Sequence, residues 1–234
     1  MNFPAFHQWK DAFTHLFFPQ ICPGCNYDLV NEQQMVCSSC MMNLPYTGFQ
    51  DIKNNPVEKL FWGRTNIRNA FSVFYFIIDT PLQRMIHQIK YKNNQSLGIY
   101  LGNIMGNTLH HYSNTYPIDI LIPMPLHPKK EYRRGYNQSD LLCEGIKENL
   151  SIPFRNDVLL RNFNTSTQTK KSRIERWENV SHVFALHHVE SISDKHILLV
   201  DDVITTGAST EACAALLLKN KAASVSICSL AYTL

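Results

Sequence analysis

The hydrophobic positions of this chain change period several times, and each change predicts an element. Phe3, Phe6, Phe13, Leu16 and Phe17 recur at helical spacing until Pro19 ends the run. This predicts an N-terminal amphipathic helix that packs on the rest of the protein. Residues 51–65 are polar, contain Pro56 and read as a connecting stretch. The run AFSVFYFII at 70–78 is aromatic and β-branched, the composition of a strand. Leu82, Met85, Ile86 and Ile89 return to helical spacing, as do Leu97, Leu101, Ile104, Met105 and Leu109. Residues 118–122 predict a strand, and Leu141, Leu142 and Ile146 a helix. A short, wholly apolar strand at 197–200, a helix at 212–219 and a last strand at 224–231 follow. Strands alternating with helices imply an α/β fold, a mainly parallel sheet flanked by helices. The pattern divides the chain into an N-terminal module at 1–50 and an α/β domain at 66–234.

Composition narrows the class. Hydrophobic residues make up 44% and charged residues 18%, which excludes a disordered chain. A net charge of +3 does not by itself argue for nucleic acid. No stretch approaches the ~18 apolar residues of a membrane span. The first residues are interrupted by His7, Lys10, Asp11 and His15, unlike the apolar core of a signal peptide. The expectation is a cytoplasmic protein without membrane insertion. Seven cysteines, an odd number, argue against a secreted disulfide framework.

Four of those cysteines carry chemistry. Cys22-Pro23-Gly24-Cys25 is followed, after eleven residues, by Cys37-Ser38-Ser39-Cys40. Each C-x-x-C lets two thiolates reach one ion from a tight turn, and two such turns complete a tetrahedron around Zn²⁺. Thiolate softness favours zinc or iron over magnesium. A redox C-x-x-C has no use for a second pair, and buried cysteines without metal do not produce this spacing. A closed four-ligand shell leaves no open position for catalysis, so the metal holds the module together.

The most informative stretch is ILLVDDVITTGAST at 197–210. An apolar strand ends on Asp201 and Asp202, and in open α/β sheets ligands bind at that end. A Thr205-Thr206-Gly207 turn then leads toward a helix whose N-terminus offers unpaired N–H groups and the positive end of a dipole. With the hydroxyls of Thr205, Thr206, Ser209 and Thr210, and glycine allowing close backbone approach, this makes a phosphate cradle. The adjacent acids repel phosphate but suit sugar hydroxyls, so the pair describes a ribose 5-phosphate. Taken alone, the turn is also compatible with an ordinary surface turn and cap.

Two segments are basic. His127, Lys129, Lys130, Arg133 and Arg134 crowd a stretch stiffened by Pro123, Pro125 and Pro128. A charge run is ordinarily a solvated loop, but arginine forks also match phosphate oxygens. Lys170, Lys171, Arg173 and Arg176 follow a polar run at 162–169. With Phe163 and Trp177 nearby, a nucleic-acid backbone contact is the rival to a simple basic loop.

The 197–210 stretch resembles the 5-phosphoribosyl-1-diphosphate (PRPP) motif of type I phosphoribosyltransferases. The whole chain resembles the ComF family of proteins associated with natural competence. The likeness also rests on the Cys22–Cys40 module, Lys90-Tyr91, Pro123-Met124-Pro125, Arg133-Arg134-Gly135-Tyr136-Asn137-Gln138, Gln168, Arg176 and Asn179. The resemblance implies a type I phosphoribosyltransferase-like fold behind a four-cysteine zinc module. It implies that Asp201 and Asp202 contact the ribose hydroxyls and that Thr205, Thr206, Gly207, Ala208, Ser209 and Thr210 hold the 5-phosphate. Pro125, Leu126, His127, Arg133 and Arg134 fall where such enzymes hold the diphosphate, with Mg²⁺. Gln168, Lys170, Lys171, Arg173 and Arg176 fall where relatives have a loop that closes over the site. Relatives usually place arginine and leucine just after that glutamine; here the residues are Thr169, Lys170 and Lys171. Two functions follow: a phosphoribosyltransferase acting on PRPP, or a PRPP-sensing protein that binds single-stranded DNA with the competence machinery. No segment matches the acceptor hood of a purine or pyrimidine salvage enzyme.

Overall fold

A computed structural model describes residues 19–29, 33–115, 117–161 and 183–233, with the side chains of 111–115 excepted. The strands are β1 (Ala70–Phe76), β2 (Ile120–Pro123), β3 (Leu159–Arg161), β4 (Phe184–Leu186), β5 (His196–Ile204) and β6 (Ser224–Thr233). The helices are α1 (Ser38–Met42), α2 (Pro56–Lys59), α3 (Pro81–Tyr91), α4 (Gln95–Thr115), α5 (Pro128–Arg134), α6 (Gln138–Leu150) and α7 (Ala208–Lys219). The expected N-terminal helix at 3–17 lies outside the described residues.

Four strands form a wholly parallel sheet in the order β1-β6-β5-β2. A parallel sheet covered on both faces needs continuous apolar strands, and Ile197, Leu198, Leu199 and Val200 are all buried. Right-handed crossovers from β1 to β2 and from β5 to β6 run in opposite directions across the sheet, so their helices cover opposite faces. The helices α3, α4 and α6 lie on one face and α7 on the other. Two elements extend beyond their apolar cores. Strand β5 continues to Ile204 because its ladder with β6 continues, pairing Asp201 with Ser229 and Ile204 with Tyr232. Helix α7 starts at Ala208, directly after the turn, four residues before the apolar run.

Residues 51–65, read as a connecting stretch, carry packing of their own. Val57 and Phe61 are buried. The Asn55 carboxamide oxygen accepts from Val57 N and Glu58 N, capping α2, while its nitrogen donates to Ala70 O at 2.8 Å. One asparagine thus starts a helix and ties it to the beginning of β1. Helix α3 is started in the same manner by Thr80, with Pro81 at its first position, and buries Leu82, Met85, Ile86 and Ile89. Cys22 and Cys40 lie in the same buried cluster as the sheet, and the half-buried Cys25 and Cys37 pack against it.

Helices α4 and α6 approach to backbone contact. A Cβ on Gly145 would lie 2.1 Å from Ile99 O and 2.5 Å from Asn103 N. Backbone cannot step aside as a flexible side chain can, so the helices must separate. Gly145→Ala is expected to cost about 3 kcal/mol, the upper part of the range for overpacking. For a chain of this size that lowers the melting temperature by roughly 6–12 °C. A melt of the variant within a degree of wild type would contradict the close approach.

Candidate functional site

Alternation along β5 turns its two acids to opposite faces of the sheet. Asp201 faces α7, where its Oδ2 accepts from the Thr210 hydroxyl at 3.4 Å. Asp202 faces α3, where its Oδ2 meets Lys90 Nζ at 2.6 Å. Both acids are half-buried. Desolvation by burial, then the negative charge of Asp202, push the Asp201 carboxyl up from 3.8 to about 7. The folded chain therefore keeps a proton that the unfolded chain releases between about pH 4 and pH 7. By linkage, stability falls as pH rises through that window. Asp140, pushed up to about 6 chiefly by burial, acts with the same sign up to its own value. Melting curves of wild type and Asp201→Asn should diverge, with wild type losing several degrees more from pH 4 to pH 7. Parallel curves would contradict the buried acid.

The turn after β5 is built by Gly207, whose φ of +73° is left-handed and favours glycine. A Cβ there would also lie 3.1 Å from Phe61 Cζ. Thr205, Thr206, Ala208 and Ser209 are exposed around this turn, and Thr210 is buried with its hydroxyl on Asp201. Five of the six residues from 205 to 210 thus surround the start of α7, and the sixth braces the acid. Phe61, the floor beneath the turn, comes from the stretch that sequence reading treated as a connector.

The basic segment forms α5, which the three prolines around it did not suggest. His127 caps it, its Nδ1 accepting from Lys129 N at 3.2 Å. Pro125, Leu126 and His127 leave the carboxyl end of β2 half-buried, and Arg133 is exposed. Arg134 turns inward, donating from Nη1 to Gln138 Oε1 and lying 5.4 Å from the Tyr91 ring centre. The motif from Arg133 to Gln138 is a joint. Gly135 ends α5, and the Tyr136 hydroxyl donates to Ile89 O of α3. Asn137 caps α6 and donates to Met124 O at 2.9 Å, fixing the loop after β2. Lys90 and Gln138 are drawn to Asp202 at this joint; they line one small pocket with it. Sequence spacing gave no sign of that meeting, since the three belong to α3, α6 and β5. The residues Gln168, Lys170, Lys171, Arg173, Arg176 and Asn179 lie outside the described residues.

The ligand sulfurs of Cys22, Cys25, Cys37 and Cys40 all lie within 4.8 Å of one another. Cys25 Sγ and Cys37 Sγ are 3.7 Å apart, close to the ~3.8 Å edge of a tetrahedron with metal–sulfur distances near 2.3 Å. Backbone N–H groups of Cys37 and Cys40 point at Cys22 Sγ and Cys37 Sγ, both at 3.4 Å. Such donors stabilise thiolate over thiol. The cluster fits a metal such as zinc. Cys143, Cys213 and Cys228 are buried in the core and, among the described residues, belong to no such group.

Comparison with known proteins agrees with this geometry. Residues 143–234 match the phosphoribosyl transferase domain family. The chain is 36% identical to competence protein ComFC of Bacillus subtilis over 227 residues, covering 93% of this chain and 86% of that protein. It is 33% identical to DNA utilization protein YhgH of Escherichia coli O157:H7 over 66% of this chain and 68% of that protein. It is 28% identical to competence protein F of Haemophilus influenzae, over 87% and 93% respectively. Fold and site define a type I phosphoribosyltransferase-like domain with a parallel sheet flanked by helices and a four-cysteine cluster near its N-terminus. The chain belongs to the ComF family of competence proteins. Among the described residues, no helix is long and apolar enough to cross a membrane.

Proposed function

We propose that the chain binds PRPP with Mg²⁺ at the carboxyl end of β5, transfers its phosphoribosyl group to an acceptor, and serves DNA uptake. The observation that carries this reading is the acid pair near the end of β5, followed five residues after Asp202 by the Gly207 turn and the start of α7. The turn's N–H groups and the dipole of α7 receive the 5-phosphate. Asp201 and Asp202 steady the ribose as positive charge builds on its C1. The nucleophile forms a bond to C1 while the C1–oxygen bond to diphosphate breaks, and the electron pair leaves with the diphosphate. Mg²⁺ balances the charge of that leaving group. The segment from Pro125 to Arg134 receives it. The protein contributes positioning and electrostatics. Zinc on the four cysteines is structural, and its module spans residues 1–50 ahead of the transferase-like domain at 66–234.

A second reading keeps PRPP binding and drops transfer. Tyr132 is 93% exposed on α5 beside Lys129, Lys130 and Arg133, a stacking face within a basic surface that suits single-stranded DNA. Diphosphate release, measured with PRPP and Mg²⁺ against a panel of bases and amines, separates the two. Release with one acceptor class supports transfer. PRPP binding without release from any of them supports the second reading.

A further inference from the structure

We propose that Lys90 is a shared cation. Its ammonium neutralises Asp202 in the ligand-free chain and turns to the diphosphate of PRPP in the complex, leaving Asp202 to the ribose. This rests on the PRPP reading above and adds a residue that selects PRPP over ribose 5-phosphate.

Helix α3 holds the base of this lysine in place. Arg84 Nε donates to Gly24 O, Gln88 Nε2 donates to Pro23 O at 3.2 Å, and Tyr136 donates to Ile89 O. The helix is thus tied to the cysteine knuckle at Arg84 and Gln88 and to the joint between α5 and α6 near its end. Only the four-carbon stem is left to move the ammonium. The pair with Asp202 is partly desolvated, with side-chain exposures of 23% and 21%, so each charge strongly biases the other. An ammonium carries three donors, and one carboxylate oxygen satisfies one of them.

The surroundings ask for a further acceptor. Gln138 is 3% exposed, and its Nε2 has no hydrogen-bond partner among the described residues. The same is true of Arg134 Nε. The two side chains are bonded to each other, and Gln138 lines the pocket that holds Lys90 and Asp202. Lys90 of α3 and Gln138 of α6 therefore line one pocket with Asp202, and Arg134 of α5 joins them through Gln138. Leaving a buried donor unmade costs about 1–3 kcal/mol. An oxygen-rich polyanion can reach the partly exposed Lys90 ammonium and compete with Asp202 for it. The diphosphate of PRPP has these properties; ribose 5-phosphate has no second anionic group to place there.

Calorimetric titration of wild type, Lys90→Met and Lys90→Gln with Mg²⁺–PRPP and with ribose 5-phosphate tests this. Loss of one charge-assisted contact predicts PRPP affinity about tenfold weaker in both variants. Ribose 5-phosphate affinity should stay within about twofold of wild type. Equal losses for both ligands would reduce Lys90 to a brace for Asp202 and overturn the inference alone. So would unchanged PRPP affinity. Lys90→Gln keeps length and hydrogen bonding without charge, so the comparison survives if the methionine variant fails to fold. A wild type that binds no PRPP would overturn the functional reading and this inference with it.

Discussion

Gly207→Val is expected to weaken PRPP binding by at least about a hundredfold, a loss near 3 kcal/mol. Two independent costs add at this residue. Its φ of +73° is left-handed, which costs an ordinary L-residue about 1–2 kcal/mol and a β-branched one more. Its side chain would also enter the space of Phe61, whose Cζ lies 3.1 Å from the Cβ position. The turn must then shift, and the first N–H groups of α7 shift with it. Gly207→Ala shares the backbone cost with less bulk, so its affinity should fall between the two. Calorimetry gives the affinities, and a melting curve shows whether the fold persists. A valine variant that binds PRPP like wild type would mean that the turn does not hold the phosphate.

Cys40→Ser is expected to abolish metal binding and unfold the N-terminal module. Structural zinc contributes roughly 10–16 kcal/mol of apparent binding free energy in small zinc modules, and a short module has little core of its own to replace it. Native mass spectrometry should find one zinc per wild-type chain and none in the variant. Hydrogen exchange should show residues 19–50 losing protection. The effect should reach further, because Gly24 O and Pro23 O are acceptors for Arg84 and Gln88 of α3, and α3 carries Lys90. A weaker grip on PRPP in the variant is therefore expected alongside metal loss. Wild-type protein that is metal-free yet fully protected over 19–50 would contradict a structural metal.

Local signals were readable in proportion to how local their causes are. The cysteine spacing led to a cluster because two turns suffice to bring four sulfurs together. The apolar run at 197–200 announced a buried parallel strand because such strands are apolar on both faces. Its true end was not legible: β5 runs through the acids to Ile204 because β6 offers ladder partners there, and no local propensity encodes a partner strand. Alternation then separates Asp201 and Asp202 onto two faces, a result that follows only once the strand is known to continue. The connector at 51–65 was misleading because its apolar packing comes from Val57, Leu60 and Phe61, a single turn inside a polar stretch. Lys90 was visible as part of a family pattern, but its partner lies 112 positions away on another element. Asn137 and Tyr136 are similar: each reads as an ordinary polar residue before a helix until its acceptor on Met124 or Ile89 is seen.

In the proposed complex PRPP sits on the acid pair and the Gly207 turn. Calorimetric titration of Mg²⁺–PRPP into wild type, Asp201→Asn and Asp202→Asn tests this most directly, at about pH 8, above the value near 7 to which the Asp201 carboxyl is pushed. Replacing a charge-assisted hydrogen bond by a neutral one costs about 1–2 kcal/mol, so each variant should bind PRPP about tenfold more weakly, with its fold intact. Wild type should also prefer PRPP over ribose 5-phosphate. Equal PRPP affinity in all three proteins, or no binding by wild type, would contradict the account.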